Sequence, residues 1–339
     1  MIESKNNDCK RHDGLDFAKF LCAFAIISIH TRYSGKIYIE PLTRFAVPVF
    51  FMITGYFYAS IKNRNREWEQ IKKTVVLLVY SSLLYFIWNI VQCIRLDESL
   101  LDHFYSLLNM KRWIMFVFFN ESLFSEHLWY LGALLYALVM ILLVDKFSNR
   151  KKLYKLIPFL LASNIVLGNY STMLFGIRLP LILTRNFLFC GLPFFLLGDA
   201  LREKQHTLKR KQLSALVICS VLLTIAENVF LINQENPFNA DCFIATPFLA
   251  YSLFLLFLED RRVSETPLLR NIAQLGKRTS TAIYIIHPIV ITIVGELVEF
   301  AGGYFPYVKS VYHYIAPLVI LVICTALSSF YHARKQNVQ

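Results

Sequence analysis

The chain is 339 residues long, 56% hydrophobic and only 17% charged, with a formal net charge of +12 and a mean hydropathy of +0.48. Soluble domains carry about a quarter charged residues, so this composition excludes a large soluble core and reads as an integral membrane protein. The basic residues sit in short clusters between apolar runs, the pattern of loops held against an anionic membrane face rather than of a nucleic-acid-binding surface.

In chain order, the first apolar run follows Lys5, Lys10 and Arg11 without a small-residue cleavage site, so it reads as a first transmembrane helix and not a signal peptide. About 20 mainly apolar residues cross a bilayer as a helix. That rule predicts spans at 14–33, 44–61, 73–94, 128–145, 153–170, 183–201, 212–232, 242–259, 279–300 and 312–331. The stretch 101–127, with "WIMFVFF" at 113–119, is too short to span and reads as an interfacial or re-entrant segment. The fold class expected is therefore all-α, a polytopic membrane protein of about ten transmembrane helices with both termini cytoplasmic, forming one domain over 1–339. Its cytoplasmic tails would be 1–13 and 332–339, with no soluble domain at either end. Charge supports the alternation. Of the 35 Lys and Arg residues, 25 fall in 1–13, 62–73, 146–155, 202–211, 260–278 and 332–339, every second connection. The seven cysteines are scattered, mostly inside apolar runs and without CxxC spacing, so neither disulfides nor a metal site are expected.

The first span carries charge that an anchor does not need. Asp16, Lys19 and His30 share one stripe of "DFAKFLCAFAIISIH" (16–30). At about 100° per residue Lys19 and His30 differ by only about 20° in direction, while His30 lies about 16 Å further along the axis. They form two stations on one face. Taken singly, Lys19 is equally read as snorkelling to headgroups, Asp16 as a first-turn acid facing the helix dipole, and His30 as an interhelical histidine. Together they mark a pathway or a reaction site, and a neutral imidazole suits proton abstraction near pH 7.

"LDFAKFLCAFAIISIH" (15–30) resembles the opening of the membrane-bound acyltransferase 3 family, with Lys19 at its basic position and His30 at its histidine. "VPVFFMITGYF" (47–57), with Thr54 where Ser is commoner, "HLWYLGALL" (127–135), "PFFLLGDAL" (193–201) and "YIIHPIV" (284–290) resemble the family's later segments in order. The resemblance implies a ten-helix enzyme that moves an acyl group, usually acetyl from cytoplasmic acetyl-CoA, onto a hydroxyl of a cell-surface or lipid-linked carbohydrate. No cofactor would be bound permanently, and acyl-CoA would be the donor substrate. The implied location is a bacterial plasma membrane. His30 would be the catalytic histidine, as general base or acyl carrier. Asp16 and Lys19 would shape the donor entrance. The family's RxxR at its third span is absent. "REWEQIKKTVVLL" (66–78) puts Lys72 and Lys73 nearest that place, and lysine lacks the bidentate fork of arginine.

Further along, His287 precedes Pro288 about 10 Å into the expected span, and either satisfies a carbonyl freed by the proline or lines a donor tunnel. Glu296 falls about 180° from His287 on a regular helix. Glu227, Glu296 and Glu299, with His127, Trp129, Arg44 and Arg185, would line an outer vestibule for a sugar, or else belong to an ordinary interfacial belt. Two other classes compete. One is a secondary transporter of a glycan or small metabolite, using Asp16, Lys19, His30 and Glu296 as a relay. It would normally show inverted repeats, and none is visible. The other is a non-catalytic membrane subunit.

Overall fold

A computed structural model describes residues 12–203, 206–234 and 242–337. Most of the tail expected at 1–13, and the end of that expected at 332–339, lie outside the described residues. Among those described, the chain is helical throughout and contains no strand. Fifteen α-helices follow one another: α1 (Asp13–His30), α2 (Lys36–Thr43), α3 (Ala46–Lys62), α4 (Glu67–Arg95), α5 (Leu100–Leu107), α6 (Met110–Phe119), α7 (Trp129–Phe147), α8 (Ile157–Leu167), α9 (Ser171–Phe175), α10 (Leu192–Glu203), α11 (Arg210–Asn233), α12 (Thr246–Glu259), α13 (Arg262–Glu265), α14 (Pro267–Tyr304) and α15 (Pro306–Asn337).

Each of the ten expected spans contains helix, but among the described residues six stretches are both long and apolar enough to cross a membrane: Lys36–Lys62, Glu67–Arg95, Glu126–Phe147, Arg210–Asn233, Pro267–Tyr304 and Pro306–Arg334. The other four fall short for plain reasons. α1 carries Asp13, Asp16 and Lys19 within 18 residues. α8 has 11 residues, α10 has 12 and α12 has 14, less than a bilayer's thickness at 1.5 Å per residue. α10 is extended backwards by a π-helical turn at Phe187–Gly191, capped where the Asn186 side chain accepts from the Leu188 and Phe189 amides. The stretch 101–127 forms the short helices α5 and α6, each opened by a polar cap, Ser99 for α5 and Asn109 for α6.

The chain divides into two compact units, one of 1–50, 207–230 and 244–339, the other of 51–206 and 231–243. In the first, α1 packs on α14 and α14 on α15, with α12 beside α1. Its core joins Ala23 and Ile27 to Ile283 and Val290 and to Ile320 and Cys324. Two glycines bring backbones into contact there. A Cβ on Gly276 would lie 2.1 Å from the Asp16 carbonyl oxygen, and one on Gly14 would lie 1.8 Å from that of Phe257. Neither distance admits a side chain, so α1 is clamped at its charged end.

The second unit uses the same device. A Cβ on Gly55 would meet the Phe195 carbonyl oxygen at 1.9 Å, and one on Gly198 would meet that of Met52 at 2.0 Å. The glycines of "FFMITGYF" and "PFFLLGDAL" thus press α3 and α10 backbone to backbone, with Phe51, Met52, Phe194 and Phe195 fully buried around them. Asn120 closes α6 in the left-handed region at φ 53°, a conformation asparagine tolerates. Its side chain accepts from the Phe187 amide at 2.8 Å and donates to the Trp129 carbonyl at 3.3 Å.

Candidate functional site

α1 runs unbroken from Asp13 to His30, so the two stations stand on one rigid helix. At the first, the Lys19 ammonium donates to the Asp16 carboxylate at 2.8 Å, with Asp16 buried and Lys19 half-buried. Charge is thus neutralised locally, as burial requires. At the second, His30 ends the helix on an exposed surface, and its ring centroid lies 5.0 Å from that of His287.

His287 is wholly buried, and the reason for its orientation is local. Pro288 has no N–H, so the carbonyl four residues earlier, that of Tyr284, loses its helical donor. His287 Nδ1 supplies one, at 2.8 Å from that oxygen and 3.2 Å from the Ile283 oxygen. Carbonyls only accept, so Nδ1 carries the proton and Nε2 is the ring's acceptor nitrogen when neutral. α14 begins twelve residues before the expected span at 279–300. His287 therefore stands about 30 Å along that helix. It stands beside His30, at the far end of α1 from Lys19. Glu296, on the same unbroken helix, is exposed where His287 is buried, consistent with opposite faces.

Three charged residues near His30 escaped the sequence reading as a group. Lys36, Glu40 and Arg44 follow one another at four-residue spacing from the start of α2. Lys36 donates to the carbonyl of Ile29, the residue before His30, and lies 3.7 Å from Glu40, which Arg44 also engages. That spacing is itself a helix-face signal that a charge scan could have found. Glu227, also of this unit, is buried and accepts from the Ile244 amide at 2.8 Å, holding the segment that leads into α12. Glu299 pairs with Lys309 at 2.6 Å, both exposed.

In the second unit, His127 and Trp129 are buried at the start of α7. His127 Nδ1 is 2.8 Å from the Ser125 hydroxyl, and its ring packs edge-on to Tyr85 at 4.8 Å. Trp129 packs near Phe51 at 6.5 Å between ring centroids. Arg185 is half-buried, just after the short turn Leu181–Leu183. Lys72 and Lys73 are exposed on the first turns of α4.

The same unit holds a buried ion cluster that the sequence reading treated as loop charge. Arg150 places a bidentate fork on Asp199, at 2.7 and 3.1 Å, and also reaches Asp145 at 3.1 Å. Tyr154 donates to Asp199 at 2.7 Å, and Lys62 pairs with Asp145 at 2.7 Å. Burial alone would lower the Arg150 pKa, but the hydrogen bonds and charge of Asp199 outweigh it and hold the guanidinium above its ordinary value. In the first unit, Asp260 is held down at about 2, chiefly by its hydrogen bond to Arg262, with Arg210 adding to it against burial. Among the described residues no three His, Cys, Asp or Glu side chains group as metal ligands.

Two curated relatives show the chain's wider kinship. An amino-acid racemase of Enterococcus faecalis is 25% identical over 347 residues, covering 93% of this chain and 45% of its own length. A second amino-acid racemase of that organism is 27% identical over 225 residues, covering 59% of this chain and 29% of itself. The chain spans less than half the length of these relatives, so their name describes much longer proteins. No solved structure matches. The family model described as an acyltransferase domain matches residues 12–334, nearly the whole chain, and takes in the α1 stripe and the later motifs. The chain belongs to this acyltransferase family.

Proposed function

We propose that the protein is an O-acyltransferase, in the first instance an O-acetyltransferase. It would take an acyl group from cytoplasmic acyl-CoA and place it on a hydroxyl of a cell-surface or lipid-linked carbohydrate. The observation that carries this reading is α1 itself, with an ion pair, Lys19–Asp16, at one end and an exposed histidine, His30, beside a buried one, His287, at the other. In this reading the protein is a multi-pass protein of a bacterial plasma membrane with about ten crossings and its N-terminus inside. The charged end of α1 then faces the donor's compartment and His30 faces the acceptor's.

His30 takes the proton of the acceptor hydroxyl. The oxygen attacks the thioester carbonyl, the C–S bond breaks, and the thiolate leaves with a proton. General-base assistance of this kind contributes about 10²–10⁴-fold. His287, oriented through Nδ1, packs against the His30 ring and positions it. Lys19 in the first unit, and separately Lys72 and Lys73 in the second, carry charge of the sign that phosphates require. His127, Trp129, Arg185, Glu227 and Glu296 are offered for the acceptor. Of these, the aromatic and hydrogen-bonding character of His127 and Trp129 best suits a sugar.

The test uses purified protein in lipid with labelled acetyl-CoA, wild type beside His30→Ala. Label released or transferred by wild type, and reduced at least about 10²-fold in the variant, supports the reading. Full transfer by a properly inserted His30→Ala protein ends it. Failure of wild type to bind or turn over any acyl-CoA would favour a transporter, tested next by substrate flux in vesicles.

A further inference from the structure

The second unit contains a cavity of about 430 Å³ walled by α4, α6, the 120–124 turn and the start of α7. Its lining is hydrocarbon and aromatic: Leu78, Val79, Leu83, Phe86, Trp113 and Phe116 form most of it. Besides Ser82, the polar side chains that reach it are those of Asn120 and Ser122, and both are engaged. Asn120 bridges the Phe187 amide and the Trp129 carbonyl, and the Ser122 hydroxyl accepts from the Phe124 and Ser125 amides. Nothing there calls for a polar ligand. The lips of the cavity are open: Leu83 is 51% exposed and Val79 49%, on a helix long and apolar enough to span a membrane. Its opening therefore faces lipid.

Size and charge narrow the occupant. A narrow apolar cleft of this kind suits one flexible chain. Two consecutive basic residues precede the wall residue Trp113 in α6. Arg112 donates to the carbonyl of Leu123, a wall residue, and to the Ser106 hydroxyl, and Lys111 beside it is exposed. Trp113, itself a wall residue, donates from its indole to the Leu107 carbonyl at 2.7 Å. An amphipathic indole next to two cations is what a membrane interface selects.

We propose that this cavity is a lipid site that holds one hydrocarbon chain of an anionic membrane lipid, with the headgroup against Lys111 and Arg112. The chain enters sideways between Val79 and Leu83 of α4 and Trp113 of α6. Lipid occupancy here is independent of acyl transfer and is read without it.

The experiment places the whole protein in vesicles containing phosphatidylglycerol with a photoreactive group on one chain, then maps the crosslinks by peptide mass spectrometry. Label should concentrate several-fold in peptides covering 78–86 and 113–128 over the exposed Val91 and Ile94 of α4. Leu83→Trp, which fills the mouth, should remove that excess. Val79→Trp on the other lip serves if the first variant does not insert. The same probe with a phosphatidylcholine headgroup should label less, and Lys111→Gln with Arg112→Gln should bring the two probes to equal labelling. Even labelling along α4, or an excess that survives both tryptophans in inserted protein, overturns the proposal. So does stronger labelling by a polyprenyl-chain probe, or crosslinking of Cys substituted at position 83 to a second copy.

Discussion

The Nδ1 of His287 donates at 2.8 Å to the carbonyl oxygen of Tyr284, the one acceptor in α14 that Pro288 leaves without a helical donor. The proline therefore does more than remove a backbone donor. It creates an acceptor that fixes the orientation of the buried imidazole beside His30.

A double-mutant cycle checks this. His287→Ala should cost about 1–3 kcal/mol by leaving a buried carbonyl unsatisfied. Pro288→Ala restores the missing N–H, so the same His287→Ala change should cost clearly less in that background. Thermal unfolding in detergent measures both. Equal costs in the two backgrounds would mean that the ring is held by packing alone.

Gly276→Val should loosen α1 from α14. A Cβ there would lie 2.1 Å from the Asp16 carbonyl oxygen, which is backbone and has nowhere to go. Overpacking of this kind costs about 1–3 kcal/mol or more. Because the displaced residue carries the ion pair with Lys19, donor affinity should fall along with the melting temperature. Gly295→Val on the same helix meets open space and is the control.

The Arg150–Asp199 pair predicts an asymmetry. Asp199→Asn takes from a buried guanidinium its bidentate partner, leaving Asp145, and should cost about 3–5 kcal/mol, whereas replacing both residues, as in Arg150→Met with Asp199→Leu, should cost less than either single change. Unfolding midpoints of the four proteins decide it. If the double change is the worst, the cluster binds the unit together by net attraction.

Asp260 gives a pH dependence. Its folded pKa, about 2, lies below the ordinary 3.8, so its ion pairs stabilise the fold fully above about pH 4. That contribution is lost as pH falls towards 2. The melting-temperature gap between wild type and Asp260→Asn should be constant from pH 7 to 5 and close between pH 4 and 2. A gap that widens on acidification would contradict the assignment.

How much of this was legible beforehand depends on range. The α1 stripe was readable because helical periodicity is local, and the link between Pro288 and its neighbouring histidine was readable for the same reason. The meeting of His30 and His287 was not, since nothing in either local pattern says which helices pack together. Arg150 looked like one basic residue in a loop, and its burial follows from Asp199, 49 positions away. That aspartate inside the apolar run 193–201 was the available signal. The spans were legible as helices and less so as crossings, because α8 and α12 are shorter than their apolar runs suggested. Lys36, Glu40 and Arg44 were within reach, their spacing of four being the same periodicity that exposed α1.

The glycine clamps on α1 have one more consequence. Gly14 and Gly276 bar α1 from sliding along its axis, and the rise of that one unbroken helix sets the separation of about 16 Å between the Lys19 and His30 levels. On the function proposed above, α1 is a ruler. A donor anchored by its anionic end at Lys19 must present its reactive carbon on a slender arm long enough to cover that length. Compact activated acyl groups such as acyl phosphates would bind at the gate and never reach the histidine.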